Sequence, residues 1–380
     1  MNLKPKRGVL DLPEYIAGRT IEEIKQKYNL AEVYKLASNE NILGPCRQVK
    51  EYLKKNLDDI NYYPDSDALL VRSRIAQKYG VTKDNVIMGN GTDQIIEMIC
   101  DCFIEGGVNI VIADPNFPIY EKSALKCGGE VIKVPLNKSD LRQNIPGIIK
   151  SVNESTKVVF LASPYNPTGT ILSEEEFLSA LRNISQDVLL VMDEAYYEYL
   201  LDKDRIDTVS FIKENPNLIV LRTFSKIYGL AGLRIGYGIA GAAIISILNK
   251  VRLPFNVSLI AQKAAVMALE DDRYVQEVRD GIISQKEKYY STFEKSGIDF
   301  LKSSANFMLV RTGKSSSQIV EELLKNGFIV RPGINLGVPG YIRVTISTPD
   351  INDRFLEKFV EIYKTTYKQK GNSHGNSCYR

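Results

Sequence analysis

The chain has 380 residues, of which 44% are hydrophobic and 25% are charged, and its formal net charge is only +3. A chain of this length and composition can bury a large core in more than one domain. The small net charge, and the lack of an apolar run long enough for a membrane span, predict neither a nucleic-acid partner nor a membrane partner.

The cysteines and the histidine narrow the chemistry further. The five cysteines form no CxxC pair, and the first residues, MNLKPKRGVLDLPEY, contain no apolar signal-peptide core, so we predict a cytoplasmic protein. The one histidine, His374, lies in a polar C-terminal segment that we predict to be a disordered tail over residues 369–380. A Ser-His-Asp triad and a multi-histidine zinc site are therefore excluded, and no metal site is predicted. Acid–base chemistry falls to lysine, tyrosine, carboxylates or a cofactor.

In chain order, we predict an N-terminal arm that includes part of a small domain over residues 1–40, and a large domain over residues 41–262. There, NVIMGNG indicates a strand, and the helix TDQIIEMICDCFIEG follows it, capped by Thr92 or Asp93. The runs VNIVIADP, KVVFLASP, DVLLVMDEAY and NLIVLRTFS are apolar at consecutive positions, which is typical of strands buried on both faces. Intervening helices such as SEEEFLSALRNIS begin with a capping box, here Ser173 and Glu176. We predict an α/β fold whose mostly parallel sheet is sandwiched by helices.

After about residue 260 the pattern changes. A long helical stretch over residues 258–297 precedes the strand-like runs ANFMLVRT, GFIVRPG and YIRVTIS, and a last helix, NDRFLEKFVEIYKTTYKQK, follows them. We predict a smaller α+β domain over residues 263–368, and we expect segment 15–38 to pack with it.

The segments that follow the predicted strands carry the chemistry, because ligands of open α/β sheets bind at the carboxyl ends of the strands. The glycine turn GNGTD opens a helix whose free N–H groups suit a phosphate. Each of the other segments is an ordinary turn or helix cap when taken singly. Together they supply an amide, an acid, a phenol, hydroxyls and an amine at one sheet edge, from Asn166, Asp193, Tyr196, Thr223, Ser225, Lys226 and, slightly later, Arg234.

This set meets the needs of pyridoxal phosphate, which takes a lysine for a Schiff base and an acidic partner for its pyridine nitrogen. Lys226 is the predicted lysine and base, and Asp193 is the predicted acidic partner. A second glycine motif, GYGIAG with Gly236, Gly238 and Gly241, leaves a dinucleotide site as the weaker alternative. The acidic residue that such a site needs about 20 positions on is missing, since the next acid is Glu270.

The ordered motifs YPD, GNGTD, SPYNPTG, DEAYYEY and TFSKIYGLAGLRIG resemble those of the fold-type I aminotransferases, which use pyridoxal phosphate. The resemblance runs from about Leu12 to the last helix. The segments LPEYIAGRTIEEIKQKYNL, KLASNEN and GFIVRPGINLGVPGYIRVTIS are most similar to the histidinol-phosphate aminotransferases within that family.

The resemblance implies a role for each matching residue. Lys226 would form the Schiff base, Asp193 would pair with the pyridine nitrogen, and Asn166 and Tyr196 would bond the phenolic oxygen. Phe117 would stack on the cofactor ring. The phosphate would be held by Gly91, Thr92, Thr223, Ser225 and Arg234, and by Tyr63 of a neighbouring subunit, which implies a homodimer. Arg343 would bind the substrate carboxylate, and Tyr15, Asn39 and Arg331 would line the substrate side.

The implied reaction is ping-pong amino transfer between glutamate/2-oxoglutarate and histidinol phosphate/imidazole-acetol phosphate. Ile42 and Cys46 depart from the family pattern, and the loop RPGINLGVPG is unusually rich in glycine. An aromatic or other 2-oxo acid aminotransferase, or a threonine-phosphate decarboxylase-like enzyme, therefore stays open as an alternative. A non-enzymatic ligand sensor with the same cofactor fold is a more distant one.

Overall fold

The computed structural model describes residues 5–10, 12 and 18–373. Tyr15 and His374 lie outside this part of the chain. The strands are β1 Tyr34–Lys35, β2 Val86–Gly89, β3 Asn109–Asp114, β4 Glu130–Pro135, β5 Thr156–Ala162, β6 Leu189–Asp193, β7 Leu218–Thr223, β8 Gly236–Ala240, β9 Phe300–Leu301, β10 Phe307–Arg311, β11 Phe328–Ile329, β12 Arg331–Pro332 and β13 Tyr341–Thr345. The helices are α1 Arg7–Leu10, α2 Ile21–Tyr28, α3 Arg47–Lys55, α4 Leu69–Tyr79, α5 Thr92–Phe103, α6 Pro118–Lys126, α7 Ile145–Ser151, α8 Glu174–Asn183, α9 Ala242–Asn249, α10 Leu259–Leu269, α11 Asp272–Ser296, α12 Ser316–Lys325 and α13 Pro349–Ser373.

A seven-stranded sheet in the order β2-β8-β7-β6-β5-β3-β4 forms the centre of the fold. Only β8 runs antiparallel to its neighbours β2 and β7, and the other pairs are parallel. The side chains of strand β5 show that both faces of the sheet are covered. Val158 and Phe160 belong to one buried cluster, whereas Val159 and Leu161 belong to another. Because successive side chains of a strand point to opposite faces, both faces are buried, and the predicted α/β sandwich is confirmed.

Two local predictions have different outcomes. The capping box of Ser173 and Glu176 is confirmed, with both reciprocal hydrogen bonds present at the start of α8. The predicted cap of α5 is wrong, because Thr92 is its first helical residue and Gly91 is the N-cap. The φ of Gly91 is +76°, a left-handed conformation in which an Asp or Thr side chain would be strained.

The dinucleotide alternative is not supported, because two of the three glycines of GYGIAG lie inside a strand and only Gly241 lies between β8 and α9. Gly236 and Gly238 lie inside β8, which pairs with both β2 and β7. A Cβ on Gly238 would come within 3.2 Å of the Ile87 and Leu221 side chains, so this glycine serves sheet packing. Such close packing explains the motif without a ligand.

The C-terminal region contains a four-stranded antiparallel sheet in the order β12-β13-β10-β9. Its buried cluster includes Tyr289 of α11, Leu323 of α12 and Phe355 of α13. The N-terminal segment packs here too, because β1 pairs with β11 and Ile24 of α2 shares a cluster with Leu324. The predicted boundaries at residues 40, 262 and 368 stay predictions.

Two helices differ from the sequence expectation. The helical stretch over residues 258–297 is interrupted, and α11 begins anew after Asp271, whose side chain accepts a hydrogen bond from the Tyr274 backbone N–H. Helix α13 continues to Ser373, so the backbone of residues 369–373 is helical where a disordered tail is predicted. Across residues 5–10, 12 and 18–373, we find no helix with both the length and the apolar character that crossing a bilayer requires.

Candidate active site

The predicted functional residues meet at the carboxyl ends of three adjacent parallel strands. Strand β5 ends four residues before Asn166, β6 ends at Asp193, and β7 ends at Thr223, three residues before Lys226. Ala162 and Asp193 are direct partners across β5 and β6, and Asp193 and Leu221 are partners across β6 and β7. The parallel register therefore brings segments that are distant in sequence to one edge.

Asp193 is buried, and both of its carboxylate oxygens accept hydrogen bonds. Oδ2 accepts from the Tyr120 hydroxyl at 2.5 Å, and Oδ1 accepts from the Ala195 backbone N–H at 3.0 Å. Burial raises the pKa of Asp193, whereas these two donors, together with the positive charge of Lys226, oppose the rise. The ionisation of the Asp193 carboxyl group therefore depends on these hydrogen-bond donors and on the charge of Lys226.

Tyr120 is a site residue that sequence reasoning missed. Its ring stacks on Phe160 with centroids 4.5 Å apart and meets Phe117 edge-on at 5.7 Å. Burial and the charge of Asp193 raise the pKa of its phenol well above the ordinary value, so the hydroxyl stays a donor. One signal could have found it. Tyr120 lies three residues after Phe117 on α6, and residues at this spacing share a helix face.

Lys226 and Tyr196 lie next to each other, and both contact the segment before α3 that contains Ser38 and Asn39. The Lys226 ammonium donates to the Ser38 carbonyl at 3.3 Å and lies 5.5 Å from the centre of the Tyr196 ring. The Asn39 side-chain amide donates to the Tyr196 hydroxyl at 2.9 Å. Because a phenol has one hydrogen and can also accept, this arrangement leaves the hydroxyl hydrogen of Tyr196 free to donate elsewhere.

Asn39 is a buried residue, and its place on the substrate side stays a prediction. It is 1% exposed and adopts a left-handed backbone conformation with φ of 58°. Its backbone N–H donates to the Thr345 hydroxyl at 3.0 Å, and its carbonyl accepts from Asn306 at 3.0 Å. These contacts from the C-terminal region hold a conformation that costs energy for a residue other than glycine. In this structure Asn39 contacts Tyr196 directly.

The predicted phosphate-binding residues converge at the start of α5. A Cβ on Gly91 would lie 2.5 Å from Nη2 of Arg234, so the guanidinium would have to shift if this residue had a side chain. The same nitrogen lies 3.0 Å from Asp93 Oδ2. Thr92 opens the helix, whose first N–H groups have no partner within the helix.

The loop after β7 completes this cluster. Thr223 pairs in register with Gly236, and a Cβ on Gly236 would come within 2.7 Å of the Thr92 nitrogen. The Ser225 backbone N–H donates to the Thr223 hydroxyl at 3.0 Å. Backbone donors, hydroxyls and one guanidinium are therefore linked by contacts near the start of α5, and this combination of groups suits a phosphate.

Arg343 and Arg331 place positive charge at the C-terminal side of the site. The two residues are partners across β12 and β13. Arg343 is 6% exposed, and its guanidinium donates to Asn166 Oδ1 at 2.6 Å and to the Ala37 carbonyl at 2.8 Å. Burial, with the charge of Arg331, lowers the pKa of Arg343 to about 10. Over the described part of the chain, neither arginine forms an ion pair with a carboxylate, which suits an anionic ligand.

Two further predicted residues, Phe117 and Tyr63, make aromatic contacts. Phe117 is half-buried at the N-terminus of α6, where its contact with Tyr120 brings it near Asp193. Tyr63 is 80% exposed and stacks on Phe255, with centroids 4.6 Å apart. Tyr15 lies outside the described residues.

Comparison with known proteins identifies related chains. The profile of the family described as Aminotransferase class I and II matches residues 31–359. The chain is 40% identical over 354 residues to Histidinol-phosphate aminotransferase 2 of Carboxydothermus hydrogenoformans, covering 93% of this chain and 97% of that protein. It is 41% identical over 360 residues to the histidinol-phosphate aminotransferase of Brevibacillus brevis, covering 95% of this chain and 98% of the relative. Its fold is similar to that of histidinol-phosphate aminotransferase from Sinorhizobium meliloti in complex with pyridoxal-5'-phosphate, with a TM-score of 0.87 and 26% identity, covering 96% of this chain and 98% of that chain.

Proposed function

The chain belongs to the class I and II aminotransferases, as its motifs predict, and from this premise we propose that it binds pyridoxal 5'-phosphate and transfers an amino group from glutamate to imidazole-acetol phosphate, forming histidinol phosphate. The two halves would proceed in ping-pong order. The proposal for this substrate pair is supported by the histidinol-phosphate aminotransferase names of relatives about 40% identical to the chain.

The residues at the sheet edge fit pyridoxal phosphate. The Gly91 turn, the first N–H groups of α5 and the Arg234 guanidinium would hold its phosphate. The buried carboxylate of Asp193 would pair with the ring nitrogen, and Lys226 would hold the aldehyde carbon. Asn166, which accepts a hydrogen bond from Arg343, would contact the phenolic oxygen. When bound, the cofactor supplies an electron sink for the bond that breaks at the substrate α-carbon.

Four side chains have separable tasks in this proposal. The Lys226 amine would take the α-proton from the substrate and return it, as a general base and then as a general acid. Tyr196, whose hydroxyl already accepts from Asn39, would donate its one hydrogen to the phenolic oxygen. Arg343 would fix the substrate carboxylate through paired N–H donors, which orients the α-carbon. The Phe117 ring would cover the cofactor ring and exclude water from that face.

The observation that best supports an anionic substrate is the buried guanidinium of Arg343. Arg343 is 6% exposed as a residue and lies opposite Arg331, and its guanidinium has no carboxylate partner among residues 5–10, 12 and 18–373. A buried charge is costly unless it is paired, so a ligand that supplies a carboxylate would relieve the cost. Arg331 would then be free to bind the phosphate ester of the second substrate.

A substrate panel tests the reaction. Purified protein loaded with pyridoxal phosphate is mixed with glutamate alone, and the visible absorbance band should convert to the band of the amine form. Failure of glutamate and of histidinol phosphate to cause this conversion would contradict the proposed pair. Preference for phenylalanine or another amino acid would support an aromatic or other 2-oxo acid aminotransferase instead.

A second test concerns Arg331. Arg331→Ala should weaken turnover of histidinol phosphate while leaving turnover of aromatic amino acids, because only the former carries a phosphate. Arg311→Ala is the matched control, since Arg311 lies on β10 of the same sheet and its side chain is 61% exposed. Equal loss with both substrates would show that Arg331 does not recognise the phosphate.

A homodimer is part of the proposal. Tyr63 and its neighbour Phe255 expose a pair of stacked rings, and nearby positions in the sequence expose further apolar side chains: Leu57, Ile60, Tyr62 and Leu253. Exposed apolar groups of this size favour an interface. Tyr63 would then reach the cofactor phosphate of the partner. Light scattering should give twice the chain mass, and Tyr63→Phe should weaken cofactor binding without changing that mass. A monomer with full activity would contradict both points.

A cytoplasmic location is also proposed. Cys46, Cys100, Cys102 and Cys127 are free thiols. Burial raises the pKa of Cys100 and Cys127, which makes both thiols poor nucleophiles and suits a packing role in a reducing compartment. Cell fractionation should recover the activity with cytosolic markers, and recovery with secreted or membrane fractions would contradict the proposal.

A further inference from the structure

A fully buried ion pair lies directly behind the candidate cofactor site. Arg222 and Glu194 are 1% and 2% exposed as side chains. Glu194 Oε2 accepts from Nε of Arg222 at 2.8 Å and lies 2.7 Å from its Nη2. The other carboxylate oxygen accepts from the Thr208 hydroxyl at 2.8 Å. None of the residues assigned to the ligand takes part in this pair.

The pair joins two strands at the point where their backbones separate. Asp193 and Leu221 are the last partners of β6 and β7, and the Glu194 backbone N–H donates to the Leu221 carbonyl at 2.8 Å. Beyond this bond, the backbone after Asp193 leads into the turn that contains Tyr196. The backbone after Thr223 leads into the loop that contains Lys226. The ion pair therefore links the residue after Asp193 to the residue before Thr223.

Neighbouring rings confine the guanidinium. The centre of the Arg222 guanidinium lies 3.6 Å from the centroid of the Tyr197 ring and 4.7 Å from that of Tyr79. Tyr197 follows Tyr196, so the same guanidinium also contacts the turn that carries the phenol. A planar group held by a carboxylate on one edge and by rings on its faces has one permitted orientation.

Stability alone does not account for such a pair. Replacing a buried ion pair by apolar side chains is often neutral or even stabilising, because removing two charges from water is costly. What a bidentate pair supplies, and apolar side chains do not, is a defined distance and orientation.

We propose that Arg222 and Glu194 are positioning residues: their ion pair sets the separation between Asp193 and the loop of residues 223–226, so that the two can engage opposite ends of one ligand. The inference rests on the proposed cofactor site. According to this inference, the ion pair changes the cofactor affinity and the charge environment of the cofactor. The pair does not contact the cofactor itself.

The test compares three variants of the full-length chain, each prepared without cofactor and then titrated with pyridoxal 5'-phosphate. Glu194→Gln combined with Arg222→Met removes both charges and keeps an acceptor for Thr208. Arg222→Lys keeps the charge but not the planar fork. Lys286→Met is the matched control, because Lys286 is also a buried charged residue and its ammonium donates to the Ser303 carbonyl rather than contacting Arg222 or Glu194. Cofactor Kd, the pH midpoint of the visible absorbance band and the Tm of the cofactor-free protein are measured.

We expect the double variant to fold with a Tm close to that of the unaltered chain but to bind the cofactor roughly 10- to 100-fold more weakly, since small misplacement of binding groups has effects of this size. The pH midpoint of its absorbance band should move, which a purely structural role would not cause. Arg222→Lys should be intermediate, and the control should stay within about twofold of the unaltered chain.

A double variant with unchanged Kd and unchanged pH midpoint would overturn the inference. If the double variant does not fold, Arg222→Lys decides: weaker binding at an unchanged Tm supports the inference, and unchanged binding overturns it. If the unaltered chain binds no pyridoxal phosphate, the proposed function itself fails and the inference fails with it.

Discussion

Replacing Tyr120 by phenylalanine removes one hydroxyl from the buried carboxylate of Asp193 and leaves the aromatic packing in place. The hydroxyl donates to Oδ2 at 2.5 Å, and among the described residues the donor that remains is the Ala195 backbone N–H, bonded to the other oxygen. The Tyr120 ring stays stacked on Phe160, because phenylalanine has the same ring. The variant therefore isolates the hydrogen bond from the packing.

A hydrogen bond to a charged group contributes about 1.5–3 kcal/mol, which corresponds to roughly 10- to 100-fold in an equilibrium constant. Without the Tyr120 donor, burial raises the pKa of Asp193 further, so less of the carboxylate is ionised at a given pH. Since the ionised form is the one that would pair with a protonated ring nitrogen, we expect cofactor Kd to rise by this factor. The rise should be larger at about pH 6 than at about pH 8, where ionisation is more complete.

The measurement is a fluorescence titration of the cofactor-free protein with pyridoxal phosphate across this pH range. Tyr199→Phe is the control, because Tyr199 is equally buried and its hydroxyl has no hydrogen-bond partner within the described residues. Equal Kd values for the Tyr120 and Tyr199 variants, or a Kd ratio that does not depend on pH, would refute the reasoning about Asp193.

Three further predictions concern a turn, a buried arginine and a buried lysine. Gly91→Ala and Gly80→Ala both place a side chain at positive φ and should each lower stability by about 1 kcal/mol. Only Gly91→Ala, whose Cβ would meet Arg234, should raise cofactor Kd, by about tenfold in the same titration. Arg343→Met should raise the KM for glutamate roughly 100-fold in steady-state kinetics. Calorimetry should show little change in Tm, because removing a buried charge that has no carboxylate partner offsets the loss of its hydrogen bonds to Asn166 and Ala37, and a much lower Tm would contradict this account. Burial lowers the pKa of Lys286 to about 8, below the value in an unfolded chain. The cost of burying the charged ammonium is therefore relieved as the pH rises and Lys286 loses its proton. In urea unfolding, the free energy of unfolding of the unaltered chain should increase by about 1.4 kcal/mol relative to that of Lys286→Met between about pH 7 and about pH 9. A constant difference would refute the assignment.

The sequence alone predicted the sandwich and the edge that carries the site, because both depend on local patterns. The consecutive apolar residues of β5, β6 and β7 indicate strands buried on both faces, and parallel strands place their carboxyl ends together. Asp193 and Lys226 could therefore be assigned to one site without coordinates. The roles of these residues toward the cofactor stay predictions until the variants are measured.

Local patterns were insufficient where a backbone conformation is set by a distant group. The predicted caps of α5, Thr92 and Asp93, are ordinary N-cap residues, but the N-cap is Gly91, which has a φ of +76° and lies against the Arg234 guanidinium. Likewise, no local pattern predicts that the Asn39 amide donates to Tyr196, 157 residues away in sequence. Neither contact leaves a periodic signal.

The sequence by itself indicated the main buried strands, the sheet edge where the candidate site lies and the family to which the chain belongs, since these follow from residue order and short motifs. Only the tertiary structure decided which side chains control the charge and spacing of the site. Tyr120 reaches Asp193 from another helix, and Arg222 reaches Glu194 across two strands. Such contacts depend on side-chain directions in the packed interior, where burial makes each hydrogen bond or ion pair strong enough to matter.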